Sequence, residues 1–237
     1  MITLRGKMYN LTEVYDNKFY VDNLEDSQPI AEYLAPIIVD KLKVNSILDF
    51  GCATGHWISA FNKKNVKVKG IEGSNSILNN LVVSEDFIYN LDLRYLLDKS
   101  KIDLPEKIDL SFSFEVAEHI EENFADIFLE NLILWNPEYI MLTAAPPGQG
   151  GLGHVNEQPK MYWYNKLELK GYIQDKDNEI YFSNEIEKAR KLNNVPKNLQ
   201  RPDMEIVCQR FQETIGCENG VWVPPWLPKN LMVLKRK

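Results

Sequence analysis

The chain contains the stretch Ser46-Ile47-Leu48-Asp49-Phe50-Gly51-Cys52-Ala53-Thr54-Gly55, in which an apolar segment leads directly into a glycine-rich turn. The segment 46–50 predicts a short buried strand, and the apolar pattern from Trp57 to Phe61 predicts a helix. Glycine lets the backbone turn tightly and approach a ligand without a Cβ in between. The N–H groups of a helix that begins near His56 would point at the same place. The stretch therefore predicts a binding turn between a strand and a helix, although a purely structural turn has the same pattern.

Strand and helix patterns alternate from residue 46 to residue 145. Further strands are predicted at 66–72, 87–89, 108–114, 139–144 and 230–235, and helices at 29–42 (broken or kinked at Pro36), 76–83, 117–135 and 162–170. This alternation is typical of a parallel α/β sheet with helices on both faces. Such sheets bind ligands at the carboxyl ends of their strands, near the switch in strand order.

An acidic residue, Glu72, ends the second predicted strand. It follows the first glycine of the turn by about 20 residues, where ribose-binding acids lie in nucleotide-binding sheets. A carboxylate there can accept hydrogen bonds from both ribose hydroxyls, although a solvated loop acid is the alternative interpretation. The turn lacks the G-x-x-x-x-G-K-[S/T] pattern of a P-loop and the G-x-G-x-x-G pattern of nicotinamide enzymes.

Composition excludes several classes of protein. The 237 residues are 44% hydrophobic and 26% charged, which is near the globular average and disfavours a disordered chain or a membrane bundle. The net charge of −7 disfavours nucleic acid as a partner. The three cysteines form no disulfide framework, which favours a cytoplasmic location. Residues 1–30 show no signal peptide, no apolar run reaches membrane-spanning length, and no paired His or Cys spacing predicts a metal site.

Four motifs in order resemble class I S-adenosylmethionine-dependent methyltransferases. They are Leu48 to Gly55, Gly70-Ile71-Glu72-Gly73-Ser74, Asn90-Leu91-Asp92-Leu93, and Asp109 to Ile120. Each motif is weak alone, but four in register are specific, and together they cover close to half of the chain. The resemblance implies an α/β fold: a Rossmann-like, doubly wound, mostly parallel sheet. It also implies S-adenosyl-L-methionine as cofactor, S-adenosyl-L-homocysteine as product, and no metal.

The resemblance also implies residue roles. The turn would hold the methionine part and the sulfonium, Glu72 would hold the ribose, and Asp92 with the Leu93 backbone would bind the adenine. Phe114 and Glu115 would line the floor near the methyl group. The implied cofactor-binding set is Asp49, Gly51, Cys52, Ala53, Gly55, Glu72, Gly73, Asp92, Leu93, Phe114 and Glu115. Ala53 departs from the glycine that many members have, a change small enough to leave cofactor binding intact.

The segment from Ala145 to Trp163 resembles methyltransferases associated with surface-polysaccharide biosynthesis. It contains Pro146-Pro147-Gly148-Gln149-Gly150-Gly151, His154-Val155-Asn156-Glu157-Gln158-Pro159 and Tyr162-Trp163. This resemblance implies a hydroxyl acceptor on a small molecule or glycan. A sugar hydroxyl has a high pKa, so a nearby histidine is the expected base. His154 is the first candidate and His119 the rival, and Asn156, Glu157, Tyr162 and Trp163 are predicted to bind the acceptor.

Three alternatives to hydroxyl methylation stay open. A small amine, such as an amino sugar or a phosphorylated amino alcohol, needs orientation rather than a strong base. A cofactor-binding subunit without catalysis would keep the same motifs. A nucleic-acid methyltransferase is disfavoured by the acidic net charge and by the absence of a base-flipping signature after the fourth strand.

The predicted organisation is a single domain over residues 1–237. Residues 1–28 form an N-terminal lid segment, 29–175 the cofactor-binding core, 183–205 a helical insertion, and 206–237 the C-terminal strands. The lid prediction rests on the aromatic residues Tyr9, Tyr15, Phe19 and Tyr20, which could equally pack on the sheet edge. Trp222, Pro224, Pro225 and Trp226 are candidates for a wall of the acceptor pocket.

Overall fold

The computed structural model describes residue 11, residues 15–191 and residues 226–237; the side chains of 17–27, 78, 79, 190 and 191 are not described. The strands are β1 (Ser46–Phe50), β2 (Lys67–Glu72), β3 (Ile88–Asn90), β4 (Leu110–Ser113), β5 (Tyr139–Leu142), β6 (Tyr172–Gln174) and β7 (Met232–Arg236). The α-helices are α1 (Asn17–Leu42), α2 (His56–Asn62), α3 (Ala125–Ile133), α4 (Lys160–Leu169), α5 (Lys176–Lys191) and α6 (Leu227–Asn230). Short 3₁₀ helices cover Asn75–Asn79, Glu85–Phe87, Lys99–Lys101, Ala117–His119 and Glu122–Phe124.

These strands form one sheet in the order β3-β2-β1-β4-β5-β7-β6. The first five strands pair in parallel, and β7 is antiparallel to both β5 and β6. The order reverses between β1 and β4, because the chain builds outward from β1 in one direction and then crosses back to β4. The predicted doubly wound, mostly parallel sheet is confirmed.

Two hydrophobic clusters cover the two faces of the sheet. Ile47 packs with α1 and α2 on one face, and its neighbour Leu48 packs with α3 and α4 on the other. The same alternation separates Met141 from Ile140. Alternate residues of a strand point to opposite faces, so a central strand with helices on both sides buries both sets of its side chains. Strand β1 is accordingly buried at all five of its positions.

Several predicted element boundaries were wrong. The helix predicted from Ala117 to Trp135 is two 3₁₀ turns followed by α3, and the helix predicted at 76–83 is limited to the 3₁₀ helix Asn75–Asn79. No break occurs at Pro36, because α1 continues through it as one helix of 26 residues. Strand β6 was not predicted. Of the segment 183–205, residues 183–191 belong to α5 and the rest lies outside the described residues.

No helix among the described residues combines the length and the apolar character needed to cross a membrane.

Position 51 requires glycine because of both its backbone conformation and the lack of room for a side chain. Its φ is +78°, and a Cβ there would collide with the side chain of Val116. We expect Gly51→Ala to lower the free energy of unfolding by about 2–3 kcal/mol, from the left-handed backbone and the overpacking together. Gly150 is the matched control, because its φ is +72° and no atom lies within 4 Å of its Cβ position. Urea unfolding should show a smaller loss for Gly150→Ala, and equal losses would contradict the packing argument.

Candidate functional site

The predicted site residues lie where the strands of the parallel sheet end. The turn 51–55 follows β1, Glu72 ends β2, and residues 114–120 follow β4. Residues 143–159 follow β5 and form neither helix nor strand. Because β1, β4 and β5 are parallel neighbours, these segments meet at one edge of the sheet, beside the reversal in strand order.

The turn after β1 adopts a left-handed backbone at three positions. The φ angles are +78° at Gly51, +46° at Ala53 and +90° at Gly55. The N–H groups of Gly51 and Cys52 both donate to the carbonyl of Ile71 at the end of β2, which holds the turn against its neighbour. The left-handed region favours glycine, so Ala53 is strained where a glycine would not be.

Two buried carboxylates lie beside this turn. Glu72 accepts hydrogen bonds from the backbone N–H of Ala53 at 3.1 Å and of Ser74 at 2.9 Å. Asp49 is 2% exposed, and its Oδ2 has no hydrogen-bond partner among the described residues. Burial, together with the nearby Glu72 carboxylate, raises the pKa of Asp49 well above its usual range. The site is thus suited to a ligand that brings hydrogen-bond donors or a positive charge.

The residues after β3 include a pair that the sequence did not predict. Arg94 is buried and donates from Nε and Nη2 to both carboxylate oxygens of Asp92. The backbone N–H of Arg94 also donates to Asp92. The Leu93 side chain is 5% exposed and belongs to the hydrophobic core, which leaves only its backbone for a ligand. Adenine binding by Asp92 stays a prediction, and Arg94 is the residue that orients this carboxylate.

Glu115 follows β4 in an unusual conformation. Its φ is +56°, a left-handed angle that is uncommon outside glycine and clusters at functional sites. Its carboxylate accepts hydrogen bonds from the Thr143 hydroxyl at 2.7 Å and the Trp226 indole at 3.0 Å. Burial raises the pKa of Glu115, although these hydrogen bonds oppose the shift. Trp226 therefore lies beside Glu115, and its role in an acceptor wall stays a prediction. Trp222, Pro224 and Pro225 lie outside the described residues.

Three side chains converge beside Glu115. Glu118, His119 and His154 each offer one metal-ligating atom, and these atoms all lie within 4.8 Å of one another. The two imidazole rings are 4.9 Å apart between centroids. Glu118 is fully buried, and neither of its carboxylate oxygens has a hydrogen-bond partner of good geometry in the described part of the chain, although the backbone N–H groups of Glu118 and Ala145 lie near the carboxylate. Burial, together with the Glu115 carboxylate, raises the pKa of Glu118 well above its usual range.

Tyr15 connects this cluster with the ribose motif. Its hydroxyl is hydrogen-bonded to His119 Nδ1 at 2.8 Å, and its carbonyl accepts from the Ser74 hydroxyl at 2.8 Å. Burial, with a contribution from His154, lowers the pKa of His119 to about 4. Tyr15 thus packs at this edge of the sheet, and the lid over the cofactor stays a prediction. The side chains of Phe19 and Tyr20 and all of Tyr9 are outside the described residues.

Glu157 organises the loop that carries His154. Its carboxylate accepts from the backbone N–H groups of Gly148 and Gly150 and is hydrogen-bonded to His154 Nδ1 at 3.1 Å. Burial acts to raise the pKa of Glu157, but these hydrogen bonds lower it overall. Glu157 thus supports His154, and acceptor binding by Glu157 stays a prediction.

The other predicted acceptor residues differ in position. Asn156 is 3% exposed, and its Nδ2 has no partner within the described residues, so it can donate to an acceptor. Trp163 is fully buried in the core, which corrects the prediction that it stacks on a sugar. Tyr162 packs edge-on against Trp163. Phe114 stacks on Phe112, with centroids 4.2 Å apart, and its role near the methyl group stays a prediction.

Asp49 gives a testable link between pH and stability. A folded-state pKa that is raised means that stability falls as the pH rises from the unfolded pKa through the folded pKa. Asp49→Asn stays neutral, so we expect it to be more stable than the wild type by about 1 kcal/mol at neutral pH. The advantage should vanish near pH 4, about the unperturbed pKa of aspartate. Urea unfolding at both pH values measures this, with the exposed Asp103→Asn as control. A gain that did not depend on pH would contradict the argument.

Comparisons with known proteins identify the fold. No model of a protein family matches the chain, and a search of curated proteins finds no match. Among solved structures, a SAM-dependent methyltransferase from Archaeoglobus fulgidus matches 94% of this chain and 100% of its own, with a TM-score of 0.54 and 13% identity. A sugar N-methyltransferase from Streptoalloteichus matches 74% of this chain and 90% of its own, with a TM-score of 0.52 and 14% identity.

A third solved structure has the same fold. The magnesium protoporphyrin IX methyltransferase from Synechocystis, with SAH bound, matches 70% of this chain and 83% of its own, with a TM-score of 0.50 and 15% identity. The fold predicted from the four motifs is therefore confirmed: the chain has the class I fold of S-adenosylmethionine-dependent methyltransferases.

Proposed function

We propose that this chain is an S-adenosylmethionine-dependent methyltransferase that methylates a hydroxyl of a small or glycan-linked acceptor in the cytoplasm. The pair of buried carboxylates at the ends of β1 and β2 is the main support for S-adenosylmethionine as the cofactor. Asp49 Oδ2 lacks a partner among the described residues, and S-adenosylmethionine carries an ammonium and ribose hydroxyls that can donate to carboxylates. Glu72 would take the ribose, and the left-handed turn 51–55 leaves its backbone open to the methionine part.

The cofactor would supply an electrophilic methyl group, so the protein mainly has to orient the acceptor and remove its proton. His154 is the proposed base, because Glu157 holds its Nδ1 and thereby orients the ring. Asn156 would donate a hydrogen bond to the acceptor from its unpartnered Nδ2. Surface-polysaccharide biosynthesis, as implied by the segment 145–163, is the proposed setting.

N-methylation of a small amine is the second candidate. The sugar N-methyltransferase with a TM-score of 0.52 favours it, together with the carboxylates Glu115 and Glu118, which could hold an ammonium. The two candidates differ in their need for a base, because a neutral amine already has a free lone pair.

Transfer of a radiolabelled methyl group from S-adenosylmethionine tests the proposal. Purified protein is incubated with two panels of acceptors, sugars and nucleotide sugars with free hydroxyls and their amino-sugar counterparts. Label in a hydroxyl product supports the proposal, label only in amino sugars supports the second candidate, and no label in either panel from a protein that binds the cofactor contradicts both.

A further inference from the structure

We propose that Glu118, His119 and His154 form a binding site for a first-row divalent cation, such as Zn²⁺ or Mn²⁺, that holds an oxygen of the acceptor. This inference rests on the proposed function for its cofactor and its hydroxyl acceptor, and it replaces the role of base that His154 has there with the role of a cation ligand. No metal was expected from the sequence, because His154 lies 35 residues after His119 and the histidines and cysteines show no paired spacing. Two imidazoles and a carboxylate form a donor set that such cations accept.

The fold brings these residues together at the ends of β4 and β5. The two strands pair in parallel, from Leu110 opposite Tyr139 to Ser113 opposite Leu142, so the segments that follow them emerge side by side. The backbone carbonyl of Glu118 accepts hydrogen bonds from the N–H groups of Val155 and Asn156, both at 3.0 Å. These bonds fix the position of the residue next to His154 relative to Glu118. The three side chains are therefore held close together by the backbone.

The Glu118 carboxylate is the observation that points to a cation. It is fully buried, and neither oxygen has a hydrogen-bond partner of good geometry among the described residues, although the backbone N–H groups of Glu118 and Ala145 lie near it. A poorly paired carboxylate is strongly unfavourable as a buried anion. A cation held by Glu118, His119 and His154 would offset this cost by direct coordination.

The hydrogen-bond partners of His119 and His154 resemble those that orient metal-binding histidines. Metal-binding histidines usually donate their second ring N–H to a carboxylate or another acceptor, which fixes the ring orientation. Glu157 is placed to do this for His154 Nδ1, and the Tyr15 hydroxyl is hydrogen-bonded to His119 Nδ1. Gly151 also matters, because a Cβ there would collide with the His154 ring. Each histidine is thus held by a partner that is not itself one of the three ligands.

A cation at this site would change the role of His154. The cation would bind an acceptor hydroxyl and lower the pKa of that hydroxyl, and the proton of the hydroxyl would pass to solvent water. A nitrogen that coordinates the cation has no lone pair left for a proton, so His154 would act as a ligand and not as the base. The two roles of His154 predict different activities of the metal-free protein. If His154 is the base, the metal-free protein methylates the acceptor; if His154 is a cation ligand, it does not.

Metal titration of the full chain tests the site. The protein is stripped with a chelator and titrated with Zn²⁺ by calorimetry and with Mn²⁺ by electron paramagnetic resonance. We expect one site per chain, with affinity weakened at least about tenfold in Glu118→Gln and in His154→Gln. Glu122→Gln is the matched control, because it makes the same change at an exposed acid in the next turn. Thermal unfolding of each variant checks that it folds.

The outcomes separate this inference from the proposed function. S-adenosylhomocysteine binding is measured on the same samples. A wild-type protein that binds S-adenosylhomocysteine but neither metal overturns the cation site and leaves the proposed function standing. Metal binding that Glu118→Gln and Glu122→Gln retain equally also overturns it, because the ion then lies elsewhere. Binding of a metal without S-adenosylhomocysteine would instead contradict the proposed function.

Discussion

Replacement of Glu72 by alanine is expected to raise the dissociation constant for S-adenosylhomocysteine at least about 100-fold. Hydrogen bonds to a charged group contribute about 1.5–3 kcal/mol each, and the ribose would provide two. Glu72 also accepts hydrogen bonds from the backbone N–H groups of Ala53 and Ser74, at 3.1 and 2.9 Å. The variant would lose both bonds, so the turn itself would lose support. Calorimetric titration of both proteins measures the change.

Two further variants make this prediction specific. Glu72→Gln keeps the shape but not the charge, and we expect an intermediate loss of affinity. Glu106→Ala removes an acid whose side chain is 92% exposed and should bind as the wild type does. If Glu72→Ala folds normally and binds S-adenosylhomocysteine as tightly as Glu106→Ala, the ribose assignment is wrong.

Replacement of His154 by glutamine is expected to lower kcat for a hydroxyl acceptor by about 10²- to 10⁴-fold, the usual contribution of a positioned base. Cofactor binding should be unchanged, because the predicted contacts to the ribose and to the methionine part lie at the end of β2 and on the turn after β1, away from His154. Single-turnover rates with labelled S-adenosylmethionine, measured beside S-adenosylhomocysteine affinity, separate the two effects. A cation-ligand role predicts the same loss, and the metal titration distinguishes it from a base.

Glu157→Gln tests the support of His154. The variant weakens the contact with Nδ1 but leaves the imidazole in place, so we expect a smaller loss of rate, about 10- to 100-fold. For an amine acceptor, the His154→Gln rate should fall little, since no strong base is needed. A hydroxyl acceptor that is methylated at the wild-type rate by His154→Gln would show that His154 is neither base nor ligand.

The turn after β1 and the position of Glu72 were predictable because their signals are local. A buried strand followed by a glycine-rich turn is visible in ten consecutive residues, and Glu72 ends the next strand. Strand β6 was missed because three residues at the edge of the sheet carry too little pattern. The contact between Asp92 and Arg94 was missed because no pattern marks a buried ion pair between residues only two apart.

The segments after β4 and β5 were less predictable because tertiary contacts replace local ones there. The sequence 117–124 has helical periodicity, yet the Glu118 carbonyl accepts from Val155 and Asn156 and not from the next helical turn. This interrupts the predicted helix and brings Glu118 beside His154. The burial of Trp163 follows similarly from the packing of α4 on the sheet, which the sequence of that helix alone does not show.

Calorimetric titration of the purified wild-type chain with S-adenosylhomocysteine tests the central claim most directly. The account predicts saturable binding of one molecule per chain with a micromolar dissociation constant, because Asp49, Glu72 and the turn after β1 form a site suited to it. No binding at millimolar S-adenosylhomocysteine would contradict the claim, and the chain would then be a methyltransferase fold that serves another purpose.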